Sequence, residues 1–409
     1  MSAFAAFVPI ESWHYNSPDV LNAGKRVDLG LLAEALILFE RVYFAFTNPE
    51  HLADVVAWFH AQGHFPALLG LVSDGILVPY YYSFASLPGH VGDVWNIMNI
   101  QDQEAARCQV FEKRILASGQ LRGLLPQNYL IPFTEAALRQ HVEVKADDFG
   151  SAIENARLDY GTEDGASFLL QIFVDELYRK LGYVKPPTVR TRIKEEGDHR
   201  VIDWGMNFDE VSEKLGPNLH FHAGIPLAGA AFGAKTLWSA AQLTADLYLG
   251  SPITAYAAHK LAQGSRSARV GEIVERLIEN VEFPNIRTLT NEEQVTISAV
   301  LELRRKAARF RDWLRSEREL DRDAVRAYLG EIAATAGWTR HLGIAIHAAG
   351  LFGGAAVSGL AGSVLGPVKG GAAGAGVNFI FDLAAKFSSG WKPVVFGKWA
   401  RRRIEREGD

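Results

Sequence analysis

The spacing of apolar positions along the chain divides it into a mixed first half and a helical remainder. Residues 29–39 carry apolar side chains at helical spacing, and residues 41–46 (RVYFAF) form the short aromatic and β-branched run expected of a buried strand. Asn48-Pro49-Glu50 then predicts a helix start. Asn48 can cap the free N–H groups, Pro49 costs nothing at the first helical position, and Glu50 faces the positive end of the helix dipole. Gly63 closes that helix, a second one covers residues 66–73, and Asp74-Gly75 turns the chain into a strand over residues 76–83. Strand, helix, helix, strand over this length predicts an α/β unit.

Helical spacing returns over residues 102–118, with Phe111 and Ile115 four apart, and again over 134–141, 149–158 and 167–181. Residues 188–204 read as a β-hairpin turning at Glu196-Gly197-Asp198. After Gly216-Pro217 the pattern is almost wholly helical. Residues 222–249 are apolar and Ala-rich, 251–262 continue as helix, and 266–280 are charged and amphipathic. Thr290-Asn291-Glu292-Glu293 has the form of a capping box opening a helix to residue 316. Its apolar face would be Val300, Leu303, Ala307, Phe310 and Leu314, with Arg304, Arg305, Lys306, Arg309, Arg311 and Arg315 on the others. A further helix is expected over 321–335. The expected class is α+β: a mixed α/β region with a β-hairpin, followed by a mostly α-helical region ending in a Gly-rich helical hairpin. The boundaries that follow are 1–125 (α/β), 126–215 (α+β with the hairpin), 216–340 (helical), 341–387 (Gly-rich hairpin) and 388–409 (basic aromatic tail).

The Gly-rich hairpin carries the strongest pattern in the chain. Gly350, Gly354, Ser358, Gly362, Gly366, Gly370 and Gly374 place a tiny residue at every fourth position. On a helix these share one face, a groove against which another backbone can lie closely. Small-xxx-small faces of this kind are how helices associate in lipid. Residues 342–365 hold no Asp, Glu, Lys or Arg. At 1.5 Å per residue they reach about 36 Å, enough for a hydrocarbon core of about 30 Å. Glycine is weakly apolar and costs about 1 kcal/mol in a helix interior relative to alanine, which makes insertion marginal. Gly366-Pro367 and Lys369-Gly370-Gly371 form the turn, and the returning arm carries Asp382 and Lys386.

Composition sharpens this picture at the carboxyl end. The net charge of −5 conceals a basic tail, which from Lys386 onward holds seven Lys and Arg against three acids. Trp391, Phe396 and Trp399 are interleaved with Lys392, Lys398, Arg401, Arg402 and Arg403. Aromatic rings at headgroup depth and cations at about 1 kcal/mol each are what an anionic cytoplasmic leaflet holds. The expected partners are therefore membrane lipid, a second copy of the chain through the zipper, and a protein trigger at the N-terminal region. Nucleic acid is the weaker reading, because Glu302, Asp312, Glu317 and Glu319 interrupt the basic run near 304–315. With Cys108 as the one cysteine, no intramolecular disulfide is possible, which fits a reducing cytoplasm. Residues 1–10 are apolar but lack a basic leading region and are cut by Pro9, unlike a signal peptide.

Candidate chemistry is sparse, and no cofactor, metal or catalytic residue is assigned. His220 and His222 would project to one side of a strand, without recognisable further ligands. His60 and His64 are four apart but lack the adjacent Glu of a zinc-protease helix. Glu143-Val144-Lys145 matches three residues of a nuclease core, and residues 229–236 imitate a phosphate loop with the wrong glycine–lysine spacing. No G-x-S-x-G elbow is present. Together these features describe a bacterial-type, non-enzymatic effector of the toxin or defence class. It would be cytoplasmic, and peripheral or conditionally inserted at the inner membrane under control of an N-terminal sensing region. The alternatives are a soluble metal-dependent nuclease or hydrolase with the hairpin as core, and a soluble module that oligomerises through the zipper.

Overall fold

The computed structural model describes residues 4–12, 17–81, 111–142, 161–183, 185–196, 199–217, 224–249, 285–312 and 346–348. The opening apolar run is the first strand, β1 (Ala5–Pro9), buried along its whole length. Helices α1 (Pro18–Asn22) and α2 (Leu29–Leu38) lead to β2 (Arg41–Phe46). Next come α3 (Pro49–Ala61), α4 (Phe65–Ser73) and β3 (Leu77–Tyr81). The α3 start is the expected one, with the Glu50 N–H donating to Asn48 Oδ1 at 3.1 Å. A π-helical turn (Phe111–Leu116), α5 (Gly119–Leu124) and α6 (Gln127–Val142) follow. The last of these is longer than expected and carries Pro132 inside it. Helix α7 (Glu163–Lys180) precedes the antiparallel hairpin β4 (Arg192–Glu196) and β5 (His199–Asp203), which turns where the sequence places it. The later elements are α8 (Phe208–Leu215), α9 (Gly224–Gln242), β6 (Asp246–Leu249), α10 (Ile286–Asn291), α11 (Ile297–Lys306) and β7 (Ile346–Ala348).

Five strands form one parallel sheet in the order β3-β2-β1-β6-β7. Strand order reverses between β1 and β6: the chain builds outward from β1 to β3, then returns to add β6 and β7 on the other side. Alternate residues of each inner strand face opposite layers. Phe4, Ala6, Val8 and Ile10 join Val42, Phe44, Phe46 and Leu77 in the core shared with α2, α3, α4, α10 and α11. Ala5 and Phe7, equally buried, face the other way, and α9 packs on β1 and β6. Pro79, which cannot donate to a ladder, is tolerated because β3 is the outermost described strand on its side.

Several expectations are corrected. The mixed α/β character expected of the chain is built around a parallel sheet, and from the segment 216–340 β6 pairs with β1 while α10 and α11 pack on α2. Helix does not run through 222–249, because Thr244 takes a left-handed backbone (φ +51) that ends α9 and admits β6. The capping box at Thr290 does not open a helix either. Glu293 is left-handed (φ +63), α10 ends at Asn291, and Thr296 caps α11 by accepting from the Ala299 N–H at 3.2 Å. Of the apolar face expected for that helix, Val300, Leu303, Ala307 and Phe310 are buried, and Leu314 lies outside the described residues. Its arginines are not simply solvated. Arg304 donates to the carbonyls of Leu36, Phe39 (2.7 Å) and Glu40 (2.8 Å), and Arg311 to Ile37 (2.9 Å). The Leu36 and Ile37 carbonyls belong to the last turn of α2 and those of Phe39 and Glu40 follow it directly, a helix end where a cation is favoured. Burial, followed by the charge of Arg311, lowers the Arg304 guanidinium to about 10.

Within the segment expected as a Gly-rich helical hairpin, Ile346–Ala348 is extended and paired with β6. The rest of the hairpin, the basic tail and the helices expected over 149–158, 251–262, 266–280 and 321–335 lie outside the described residues.

Candidate functional site

All five strands point the same way, so their carboxyl ends share one edge of the sheet. In open parallel sheets that edge, near the point of strand-order reversal, is where ligands bind. Here the chain leaving β1 runs through Ile10, Glu11 and Ser12 and is pinned by a short antiparallel bridge between Glu11 and Val27. Asp28 N–H donates to the Ile10 carbonyl at 2.7 Å and Ser12 N–H to the Arg26 carbonyl at 2.9 Å. Glu11 is turned over the end of β2. Its Oε1 accepts from the Thr47 backbone N–H and lies 2.9 Å from Nδ1 of His51, on the first turn of α3. Glu11 is 1 % and His51 7 % exposed.

Nδ1 of His51 is the ring nitrogen that faces the Glu11 carboxylate, and Nε2 is turned away from it. Nε2 makes no hydrogen bond to a described residue. Ser12, next to Glu11, is buried, and its hydroxyl has no hydrogen-bond partner among the described residues. Outside this pair, Arg26 holds Asp54 through Nε (3.1 Å) and Nη2 (2.7 Å) and reaches Glu50 through Nη1. It thereby ties the segment beside Glu11 to the helix that carries His51. Being exposed, these ion pairs position more than they stabilise.

A second buried ionic group lies beside the first and is chemically closed. Asp28 caps α2; its Oδ1 accepts from the Leu31 N–H (2.9 Å) and Asn291 Nδ2 (2.8 Å). Its Oδ2 accepts from Ser17 Oγ (3.0 Å) and from Nε (2.9 Å) and Nη2 of Arg287. Burial pushes the Asp28 carboxyl up, but the Arg287 charge and the hydrogen bonds from Arg287, Asn291 and Leu31 outweigh it and hold the group below its ordinary value. Asn291 Oδ1 also accepts from the Gly30 N–H at 2.9 Å. Gly30 is required here, since a Cβ would lie 2.0 Å from the Arg287 carbonyl oxygen. Tyr248 of β6 belongs to the same buried group: burial first, then the charge of Glu34, push its hydroxyl well above its usual range. With every Asp28 lone-pair direction in use, this network is a clasp between α2 and α10, not a place for substrate.

Most of the residues singled out from sequence lie outside the described residues. Gly350, Gly354, Ser358, Gly362, Gly366, Gly370 and Gly374 lie outside the described residues, as do Trp391, Lys392, Phe396, Lys398, Trp399, Arg401, Arg402 and Arg403. So do His220, His222 and Glu143-Val144-Lys145. His60 ends α3, while His64 stands at the N-cap of α4 across the Gly63 turn. The phosphate-loop imitation is interior to α9, where helical N–H groups are already bonded and cannot cradle a phosphate. Among the described residues no group of three or more His, Cys, Asp and Glu is placed to hold a metal ion, and no helix is long and apolar enough to cross a membrane. Glu11 and His51 went unrecognised, although one signal marks Glu11: it is the first charged residue after an apolar run, the position that follows a strand buried on both faces. Comparison of the chain with protein-family models, with curated proteins and with solved structures finds no match.

Proposed function

We propose that the chain is a membrane-acting effector of the toxin or defence class, in which the parallel α/β domain is the sensing part and holds the start of a glycine-zipper hairpin until triggered. The observation that carries this reading is a junction. β7 ends at Ala348 beside β6, and the zipper register opens at Gly350, two residues later. β7 thus ends at the carboxyl edge of the sheet, the edge that also presents Glu11 and His51. In this reading the zipper face of Gly350, Gly354, Ser358, Gly362, Gly366, Gly370 and Gly374 packs helix on helix within or between copies. Trp391, Phe396 and Trp399, with Lys392, Lys398 and Arg401–Arg403, meet the anionic cytoplasmic leaflet. The resting protein is cytoplasmic or peripheral at the inner membrane, and glycine's weak apolarity keeps insertion and burial close enough in free energy to be switched.

The test uses the whole chain, because a cut near residue 216 would part β6 from β1 and Arg287 from Asp28. Cells expressing it are fractionated with high-salt and carbonate washes while growth is followed. Because insertion and burial lie close in free energy, a minority of the overproduced wild type is expected in the carbonate-resistant pool even without the trigger, with slowed growth. Gly362→Leu, which overpacks the zipper face, should abolish both, while Ala356→Leu, off that face, should be tolerated. A chain confined to the soluble pool and harmless to growth would refute the reading, as would equal effects of the two substitutions.

A further inference from the structure

The two edges of the β4–β5 hairpin are treated differently. On the β4 side, the Val189, Thr191 and Ile193 N–H groups donate to Gln171 Oε1 (2.8 Å), Ser167 Oγ (2.9 Å) and Glu163 Oε1 (2.9 Å) of α7. Acceptors four apart on a helix are spaced about 6 Å, and donors two apart on a strand about 6.6 Å, so the helix closes this edge residue by residue. Backbone direction alternates along a strand, so Arg192, Lys194 and Glu196 are the β4 residues that bond β5. On β5 the alternation leaves the N–H and C=O groups of Arg200 and Ile202 directed away from β4. Among the described residues no hydrogen bond reaches those groups, and neither proline nor bulge interrupts the strand, which pairs with β4 through all five of its residues.

We infer that this edge is an interface for a second copy of the chain, in which β5 pairs antiparallel with its counterpart across a twofold axis at Val201. The strand is complementary to itself. Full overlap sets His199 opposite Asp203, Arg200 opposite Ile202 and Val201 opposite itself. Arg200 and Ile202 carry the outward groups, so each exchanges both hydrogen bonds with the other. His199 and Asp203 fall at the closely spaced non-bonded positions, a basic residue facing an acid twice per dimer. Moving the axis to Arg200 would set like charges face to face, and moving it to Ile202 would set Asp203 opposite Val201 and leave His199 outside the pairing. Half-steps oppose outward groups to residues already bonded to β4. One face of the hairpin, with Ile202, is buried, and the other, with Arg192, Lys194 and Asp203, is exposed. A twofold axis across the edge keeps the covered face on one side of a four-stranded sheet, a sturdier unit than an isolated hairpin. The interface is separate from the glycine zipper.

The experiment uses the full chain with Cys108→Ser and Val201→Cys, oxidised mildly with and without Gly362→Leu. Cα atoms of a non-bonded antiparallel pair lie about 4.5 Å apart, within disulfide range, so a covalent dimer should form in both backgrounds. Arg192→Cys in place of Val201→Cys should give none, since three strand spacings, about 14 Å, would part it from its counterpart. Sedimentation equilibrium of Gly362→Leu should show monomer and dimer. His199→Lys, opposite Asp203, should tighten the dimer and His199→Glu should weaken it, each by about two- to thirtyfold for two cross-strand pairs. Three results would overturn the inference: a Gly362→Leu chain that is monomeric at every concentration, an Arg192→Cys dimer formed as readily as the Val201→Cys one, or His199 substitutions of opposite charge that move dimerisation in the same direction.

Discussion

Replacing Arg287 with methionine tests whether the clasp between α2 and α10 holds the domain together. The substitution keeps much of the side-chain volume but removes Nε and Nη2 from Asp28 Oδ2, leaving a carboxylate that is wholly buried. Breaking one partner of a buried pair typically costs 3–5 kcal/mol, because the remaining charge has neither water nor counter-charge. For a domain of 150–250 residues each kcal/mol lowers Tm by about 2–4 °C, so the variant should melt roughly 6–20 °C below wild type. Urea unfolding followed by tryptophan fluorescence measures the same loss as a midpoint shift. The pH dependence has a definite sign. In the wild type the Asp28 carboxyl lies below its unfolded value, so its stabilisation is complete above about pH 4 and is lost as pH falls through the folded value. In the variant, burial is opposed only by the hydrogen bonds from Asn291 and Leu31 and no longer by the Arg287 charge, so the value rises, protonation relieves the variant, and the gap between the proteins should narrow as pH falls towards 4. Asp28→Asn with Arg287→Met should cost clearly less than the sum of the two single changes. A variant within about 1 kcal/mol of wild type at pH 7, or a pH-independent gap, would refute the clasp.

Two further outcomes follow from the same structure and chain. Gly30→Ala should cost about 1–3 kcal/mol, the usual range for overpacking, because its Cβ meets the Arg287 carbonyl at 2.0 Å; an unchanged urea midpoint would show that α2 and α10 do not approach so closely. Changing Arg401, Arg402 and Arg403 together to Glu should weaken binding to phosphatidylserine vesicles, and salt should weaken the wild type in parallel; indifference to both would leave the tail a solvated end.

Where a signal is local, the sequence was a sufficient guide. Asn48-Pro49-Glu50, the Gly63 stop and the hairpin turn at Glu196-Gly197-Asp198 each work through residues within a few positions of one another. What stayed hidden depends on distant partners. Thr244 and Glu293 end helices in a left-handed conformation with no glycine to announce it, and the strand and helix that follow them are set by contacts with β1 and α2. β1 itself is buried on both faces and so lacks the alternation that marks a strand. Of the site, Glu11 could be located by its place after an apolar run. Its pairing with His51 could not, because that depends on β1 and β2 being parallel neighbours. Arg304 reads as part of a solvated basic face, yet it caps α2 from 264 to 268 residues away.

The position of β7 sets the energetic terms on which the proposed effector can be triggered. β7 pairs through three residues only, Ile346, His347 and Ala348 against Leu247, Tyr248 and Leu249, and is the outermost described strand on its side. At about 0.5–1.5 kcal/mol net per hydrogen bond, such a pairing holds the start of the zipper by a few kcal/mol. Moving an equilibrium from 1:99 to 99:1 requires about 5.5 kcal/mol of differential binding, a range one small ligand or one protein contact supplies. The neighbouring joint is of another order. β6 is fixed by its pairing with β1 and by Tyr248 beside Glu34, and α10 and α11 are fixed by a buried ion pair and by arginines on the carbonyls of α2. Releasing those would expose buried charge and core together, which amounts to unfolding the domain. In the proposed effector, a reversible trigger would therefore act between β6 and β7, the joint with the fewest described contacts.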